Sequence, residues 1–161
     1  AFTGFSSATG SRRTISVPIH GNGGHASVVR ELTFSPPDGW VIAIGNNAVR
    51  QKEARNYEHF ARAVHPSAVI SPSATIGAGT VVMAGVVVQA NAVIGNHVIL
   101  NTGCSVDHDC VIEDFAHIAP GVHLCGNVRV GEGALVGVGS CAVPGAQVTP
   151  WIIVPAGSVI K

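Results

Sequence analysis

Charge is scarce in this sequence, and what there is cancels: nine basic and nine acidic residues leave a formal net charge of zero, with charged residues at 11% of the total. That removes the basic footprint on which non-specific nucleic-acid binding depends, so a polyanionic partner is not expected. Large aromatic side chains are also rare, at 5%. Their scarcity argues against an ordinary globular core and for something narrow and repetitive. No apolar run approaches the ~20 residues needed to span a bilayer, and the opening AFTGFSSATGSRR lacks the basic-then-apolar order of a secretory leader. The expectation is a soluble, cytoplasmic chain with no membrane partner. The four cysteines, Cys104, Cys110, Cys125 and Cys141, show no CxxC spacing. All four read as small buried hydrophobes rather than metal ligands or disulfide partners, and no metal site is expected.

What the sequence has in abundance is glycine, twenty in all, together with a period of six. Counting in sixes from Ile70 through Ile76, Val82, Val88, Ile94 and Leu100 to Val154 and Ile160 meets sixteen aliphatic residues, with Ala142 the smallest. Two places before these stand small residues, among them Ala68, Ala92, Cys104, Cys110, Ala116 and Ala134. Three places after them Gly or Asn recurs, as at Gly79, Asn91, Gly103, Gly121, Asn127 and Gly133. These are residues that tolerate positive φ. An amphipathic helix needs a period near 3.6 and a strand ladder needs 2, and neither fits. The period of six predicts a hexapeptide parallel β-helix, three hexads to a triangular coil. Roughly five coils at about 4.8 Å each make a prism ~24 Å long.

Residues eighteen apart then stack on one another. That rule bears on the conspicuous trio Asp107, His108 and Asp109. It sets His108 between Ala90 and Gly126, two small neighbours that leave room around the imidazole and an accessible backbone N–H. Before residue 70 the hexads fail, and HPSAVI (65–70) leads into the first coil. TISVPI (14–19) reads as a strand, GNGGH (21–25) as a Gly-rich turn and ASVVREL as a short helix. WVIAIG (40–45) reads as a buried strand and AVRQKEARNYEHFARAV (48–64) as an amphipathic helix capped by Asn46 or Asn47. A strand, glycine turn and helix, repeated once, indicate a small α/β unit over 1–64, whose turns could receive phosphate at helix N-termini. The β-helix follows over 65–161.

The stretches GNGGHASVV, VIAIGNNAVR, HPSAVISPSATIGAGTVV and NTGCSVDHDCVIEDFAHIAPGVHLCGNVRVGEGALVGVGSCAVPG resemble a known family, the hexapeptide acyltransferases that acetylate nucleotide-linked 4-amino sugars, with the similar sialic acid O-acetyltransferases. The resemblance implies a left-handed β-helix preceded by a Rossmann-like nucleotide-sugar domain, here shortened: only fifteen residues separate His25 from Val41. It implies a homotrimer with active sites between adjacent helices, and acetyl-CoA as acyl donor. Carried over position by position, His108 is similar to the general base, Asp109 to its acidic partner, and the N–H of Gly126 to the oxyanion donor. His117, Gly126 and Val138 resemble groups along the CoA thioester and its arm. Asn101 resembles a polar residue lining the same site, and Gly21, Gly23, Gly24 and His25 resemble the nucleotide-binding turn. Trp151 departs from the pattern, standing where a corner glycine is usual.

Acyl transfer to an amine requires a base near neutral pKa, a partner that fixes its tautomer, and a donor for the oxyanion, with no covalent enzyme intermediate. His108, Asp109 and Gly126 supply one of each. Other readings stay open beside this one. His117 could be structural, His97 and His123 read as surface or interface residues, and Glu113 and Asp114 as a solvated corner. At the level of function the rivals are transfer to a sugar hydroxyl, a zinc carbonic anhydrase on the same helix, and a non-catalytic scaffold or sugar-binding module.

Overall fold

The structure, a computed structural model, describes residues 19–21, 23–29, 32–35 and 39–161. From residue 62 onward the chain is a left-handed parallel β-helix. Each hexad contributes a two-residue strand ending on its aliphatic position, and the strands stack with an offset of eighteen: Val81 pairs with Ile99, Ile99 with His117, His117 with Leu135, and Leu135 with Ile153. Three sheets of seven, six and five strands form the faces. The predicted inward positions are inward. Val82, Leu100, Val106, Ile112, Ile118, Leu124 and Val136 line the prism, with Ala92, Cys104, Cys110, Ala116 and Ala134 between them.

Two of the four thiols depart from expectation. Cys104 and Cys110 are buried, but Cys125 and Cys141 are exposed. Cys125 follows Leu124 and Cys141 precedes Ala142, and neighbours of an inward strand residue point outward. Reading all four as buried weighed composition above register.

Corner residues with positive φ include Asn91, Asp109 and Asn127, which tolerate it, but also His97, Phe115 and Trp151. The last three stand in one column with Gly79 and Gly133, eighteen residues apart. A large side chain in this region costs roughly 1–2 kcal/mol, and ring contacts return part of it. His97 stacks on Phe115 with centroids 4.8 Å apart and meets Phe60 edge-on at 4.3 Å. Trp151, the unexpected corner residue, covers Gly133. His97 is therefore buried, at 7% exposure, and not the surface or interface residue expected. The N-terminal unit covers that corner.

In that unit β1 (Ile19–His20) pairs in parallel with β3 (Val41–Ile42), and α1 (Gly24–Val29) follows the glycine turn. Residues 14–18 of the expected first strand lie outside the described residues. Helix α2 (Asn47–Ala54) is capped by Asn46, whose side chain accepts from Val49 N–H at 3.0 Å. It ends at Ala54 rather than at 64. Phe60 to Val64 alternate instead, with Ala61 and Ala63 fully buried, and β4 (Arg62–Val64) joins the coil by pairing in parallel with Val81–Val82. The other edge of β4 takes β2 (Thr33–Ser35) in antiparallel register. A second core, built from Ala26, Val29, Val41, Ala61 and Ala63 against Val81, Met83 and Ile99, seats the unit on this face of the prism. Among the described residues no helix is long and apolar enough to cross a membrane.

Candidate active site

The corner at 107–110 carries the first group. Asp109 occupies the left-handed region (φ 59°), a conformation its short polar side chain tolerates. This turns its carboxylate back so that Oδ2 lies 2.8 Å from Nδ1 of His108. Asn91, one coil below, donates its side-chain amide to Asp109 Oδ1 at 3.1 Å, and Asp107 Oδ1 accepts the His108 backbone N–H at 2.8 Å. With Nδ1–H facing a carboxylate, the free nitrogen is Nε2, the tautomer a base requires. The hydrogen bond that His108 donates to Asp109 raises the imidazole pKa above its ordinary value, opposed by desolvation and reinforced by the charges of Asp107 and Asp109. The same bond, then that from Asn91, lowers the pKa of Asp109. Both side chains are about half exposed, so the site opens outward.

The stacking rule places Ala90 and Gly126 correctly on either side of this corner. Asp109 N–H donates to Ala90 O at 3.0 Å, and Asn127 N–H to His108 O at 3.0 Å. The His108 ring rests against Gly126: a β-carbon there would lie 2.5 Å from Cε1 and 2.6 Å from Nε2. In the corner column of Ala78, Asn96 and Glu132 the amide at this place is taken by a side chain. Asn96 accepts from Ala78, Asp114 from Asn96, and Glu113 from Glu132. Glu113 and Asp114 are thus amide acceptors rather than merely solvated, and Glu113 also pairs with Arg129. The amide of Gly126 donates to no described residue. A base nitrogen and an uncommitted donor lie side by side.

The second group lies on the face shared with β4. Asn101 Oδ1 accepts from Thr102 N–H at 2.8 Å, which orients its NH2 toward Nε2 of His117 at 3.1 Å. His117 therefore accepts at Nε2 and carries its proton on Nδ1, a buried nitrogen that faces the Gly45 backbone without forming a full hydrogen bond. Desolvation first, then the nearby Arg50 charge and His25, push its pKa down to about 4. The ring of His25 meets it edge-on at 5.5 Å and rests on Gly45, while its own Nε2 is likewise buried and unpartnered. Burial and then Arg50 lower the pKa of His25 too. At neutral pH both are uncharged hydrogen-bonding groups. Val138 stands 55% exposed in the corner column of Thr102 and Pro120, next to that of Asn101. Asn101, His117 and His25 thus come together, whereas His108 and Gly126 occupy the next corner round the coil. His123 is exposed and pairs with Ser105.

The glycine turn lines a cleft of about 630 Å³ together with His20, His25, Ala43, Ile44 and Gly45. Gly21 has φ of +128°, and a β-carbon there would lie 2.9 Å from Ala43 O, so only glycine fits. Gly23 and Gly24 have open space around them. Sequence reasoning missed two residues here. His20, at the rim, binds Tyr57 OH through Nδ1 at 2.9 Å and faces Glu53 at 3.6 Å. Arg50, wholly buried behind the wall, donates to Ile44 O at 2.8 Å. Asn47 beside it reaches the carbonyls of Gly133 and Ala134. Among the described residues no group of three or more His, Cys, Asp or Glu is arranged to hold a metal ion.

No protein-family model matches the chain, and no curated protein does. Solved structures do. The acetyltransferase domain of PglB from Neisseria gonorrhoeae is 34% identical with a TM-score of 0.84, the match covering 90% of each chain. The same domain in complex with acetyl coenzyme A is 34% identical over 88% of each chain, TM-score 0.81. PerB from Caulobacter crescentus, in complex with CoA and GDP-perosamine, is 35% identical over 94% of this chain and 91% of its own, TM-score 0.83. A further structure of perosamine N-acetyltransferase from that organism, with one histidine exchanged for asparagine, is also in complex with CoA and GDP-perosamine.

Proposed function

This chain belongs to the hexapeptide-repeat sugar acetyltransferases, and from that membership we propose that it moves the acetyl group of acetyl-CoA to the amine of a nucleotide-linked amino sugar, in a cytoplasmic homotrimer. The observation that carries the reading is the 2.8 Å contact between His108 Nδ1 and Asp109 Oδ2, with the open amide of Gly126 beside the ring. Nε2 of His108 takes a proton from the acceptor nitrogen as that nitrogen attacks the thioester carbonyl. Asp109 holds the ring and stabilises the imidazolium. The Gly126 N–H receives the developing oxyanion, a role worth ~2.7–4 kcal/mol for one donor. Collapse expels the CoA sulfur, which takes the proton from the His108 imidazolium and leaves as the thiol, regenerating the base. The acetyl group passes directly between the two substrates.

The acceptor's nucleotide would lie in the cleft lined by Gly21, Gly23, Gly24 and His25, with the α/β unit serving as a shortened Rossmann-like domain. Asn101 and the Nδ1–H of His117 would face the thioester, with Val138 along the CoA arm. The base, which opens outward, and this second group, which is buried, sit at different corners of one prism. That supports a site completed across a subunit boundary. The likeness to proteins in complex with acetyl-CoA and with GDP-perosamine supports both substrates.

Thiol release from acetyl-CoA, measured with UDP- and GDP-linked amino sugars, tests the reading. Wild-type protein is expected to show acceptor-dependent release that His108→Ala reduces by about 10²–10⁴-fold, the usual span of a general base. Equal background rates in the two proteins would instead indicate a scaffold.

A further inference from the structure

Among the described residues Arg50 is the largest fully buried side chain, and none of their carboxylates meets it. Its guanidinium donates to the carbonyls of Ile44 (2.8 Å), Gly45 (3.4 Å), His97 (2.9 Å), Phe115 (2.7 Å) and Ala116 (3.4 Å) and to Asn47 Oδ1 at 2.9 Å. Every acceptor is neutral, so the hydrogen bonds are satisfied while the charge is not balanced, a costly arrangement in a protein interior.

Two of these carbonyls belong to the wall of the cleft. In a trans peptide the C=O and the following N–H point in opposite directions. With the carbonyls of Ile44 and Gly45 drawn toward Arg50, the amides of Gly45 and Asn46 are turned away from it. Neither donates to a described residue. The next amides, those of Asn47 and Ala48, open α2 and are free of intrahelical partners by its geometry. A separate observation marks the same place. The His25 ring rests on Gly45, the His117 ring lies 5.5 Å from it, and His25 Nε2 and His117 Nδ1 are both buried without partners. His117 is only 7% exposed. Uncommitted amides, unpartnered imidazole nitrogens and an unneutralised cation thus converge on Gly45.

We propose that Arg50 is a positioning residue for the anionic part of the acceptor: it holds the Ile44–Gly45 carbonyls inward so that the amides of Gly45 and Asn46, with His25, receive a diphosphate ester in the cleft. This rests on the nucleotide-linked acceptor of the preceding reading and assigns its phosphates a place and an organiser. The positive charge acts through the aligned peptides without touching the ligand.

The test uses the full chain. In ¹⁵N-labelled wild-type protein, GDP or UDP is expected to shift the Gly45 and Asn46 amide resonances. By calorimetry, Arg50→Met is expected to weaken GDP or UDP by about tenfold or more, the order of one lost charge-assisted hydrogen bond, while acetyl-CoA affinity stays within about twofold. Arg50→Lys, which keeps the charge but not the fork, should recover part of the loss. In turnover, KM for the nucleotide-linked acceptor should rise with kcat largely kept. Amides in wild-type protein that neither a nucleoside diphosphate nor inorganic pyrophosphate shifts would overturn the proposal, and so would an Arg50→Met protein that loses both ligands in parallel with its melting temperature, as a simple buttress would. Failure of the acceptor reading has its own signature: inorganic pyrophosphate shifts Gly45 and Asn46 while no nucleoside diphosphate does. That result keeps the role of Arg50 and removes the nucleotide.

Discussion

The imidazole of His108 rests on the α-carbon of Gly126, eighteen residues ahead in the chain and one coil above in space. A methyl group at that position would come 2.5 Å from Cε1 and would push the ring aside. Gly126 is not among the residues with positive φ, and the atoms it would strike belong to the far end of a half-exposed side chain rather than to backbone. Gly126→Ala is therefore expected to fold with a melting temperature close to wild type and to lose about a hundredfold in kcat, the cost of misplacing a reacting group by ~1 Å. Steady-state kinetics beside a thermal melt check it.

The pH profile follows from the pair at 2.8 Å. Asp109 raises the pKa of His108, and the base works only when deprotonated. Activity should climb with pH through an apparent pKa above the ordinary histidine value of about 6.5. In Asp109→Asn the main raising influence is gone, so the acidic limb moves to lower pH while the plateau falls by about 10²–10⁴-fold, as expected when the ring loses its orienting partner. A limb that stays in place would show that Asp109 does not govern the base.

Asn101 fixes the His117 tautomer by donating to Nε2 at 3.1 Å. Replacing it by aspartate reverses the bond, because a carboxylate only accepts. Asn101→Asp should move the proton to Nε2 and raise the His117 pKa from its value of about 4. Side-chain NMR of ¹³C-labelled histidine reads both changes, and kcat/KM for acetyl-CoA should fall with them.

Stability in acid should depend on His97 and His117. Burial, aided by Arg50, holds each at about 4, below the unfolded value near 6.5. Between these values the unfolded chain binds more protons than the folded one, so stability falls as pH drops through that window, by up to about 1.4 kcal/mol per pH unit for each proton. His97→Phe keeps the stack on Phe115 and removes one of the two groups. Denaturant midpoints at pH 7.5 and pH 5 should converge relative to wild type.

The sequence reveals the prism well because its six-residue signal is local and repeats. Leu100, Cys104 and Cys110 point where the count sends them, and the same count brings Gly126 to His108. It says less where a residue's surroundings come from distant chain. His97 occupies a corner place that ordinarily faces water, and only Phe60 and the N-terminal unit cover it. Arg50 falls on a short polar helix, where arginine usually reads as solvated, yet its acceptors His97 O and Ala116 O lie 47 and 66 residues away. The segment from Phe60 to Val64 is apolar enough to continue a helix, and its pairing with Val81–Val82 decides otherwise. Cys125 and Cys141 are the exception, because their outward position was already present in the register.

The offset of eighteen also limits how the gene can change length. Removing one hexad between His108 and Gly126 would leave every aliphatic residue facing inward, yet it would carry everything beyond the cut a third of a turn round the axis. The imidazole would then face a different residue, and the crevice would be dismantled in a protein that still folds. Insertions and deletions within this span are tolerable to function only in whole turns, so the coil acts as a reading frame with a codon of eighteen residues.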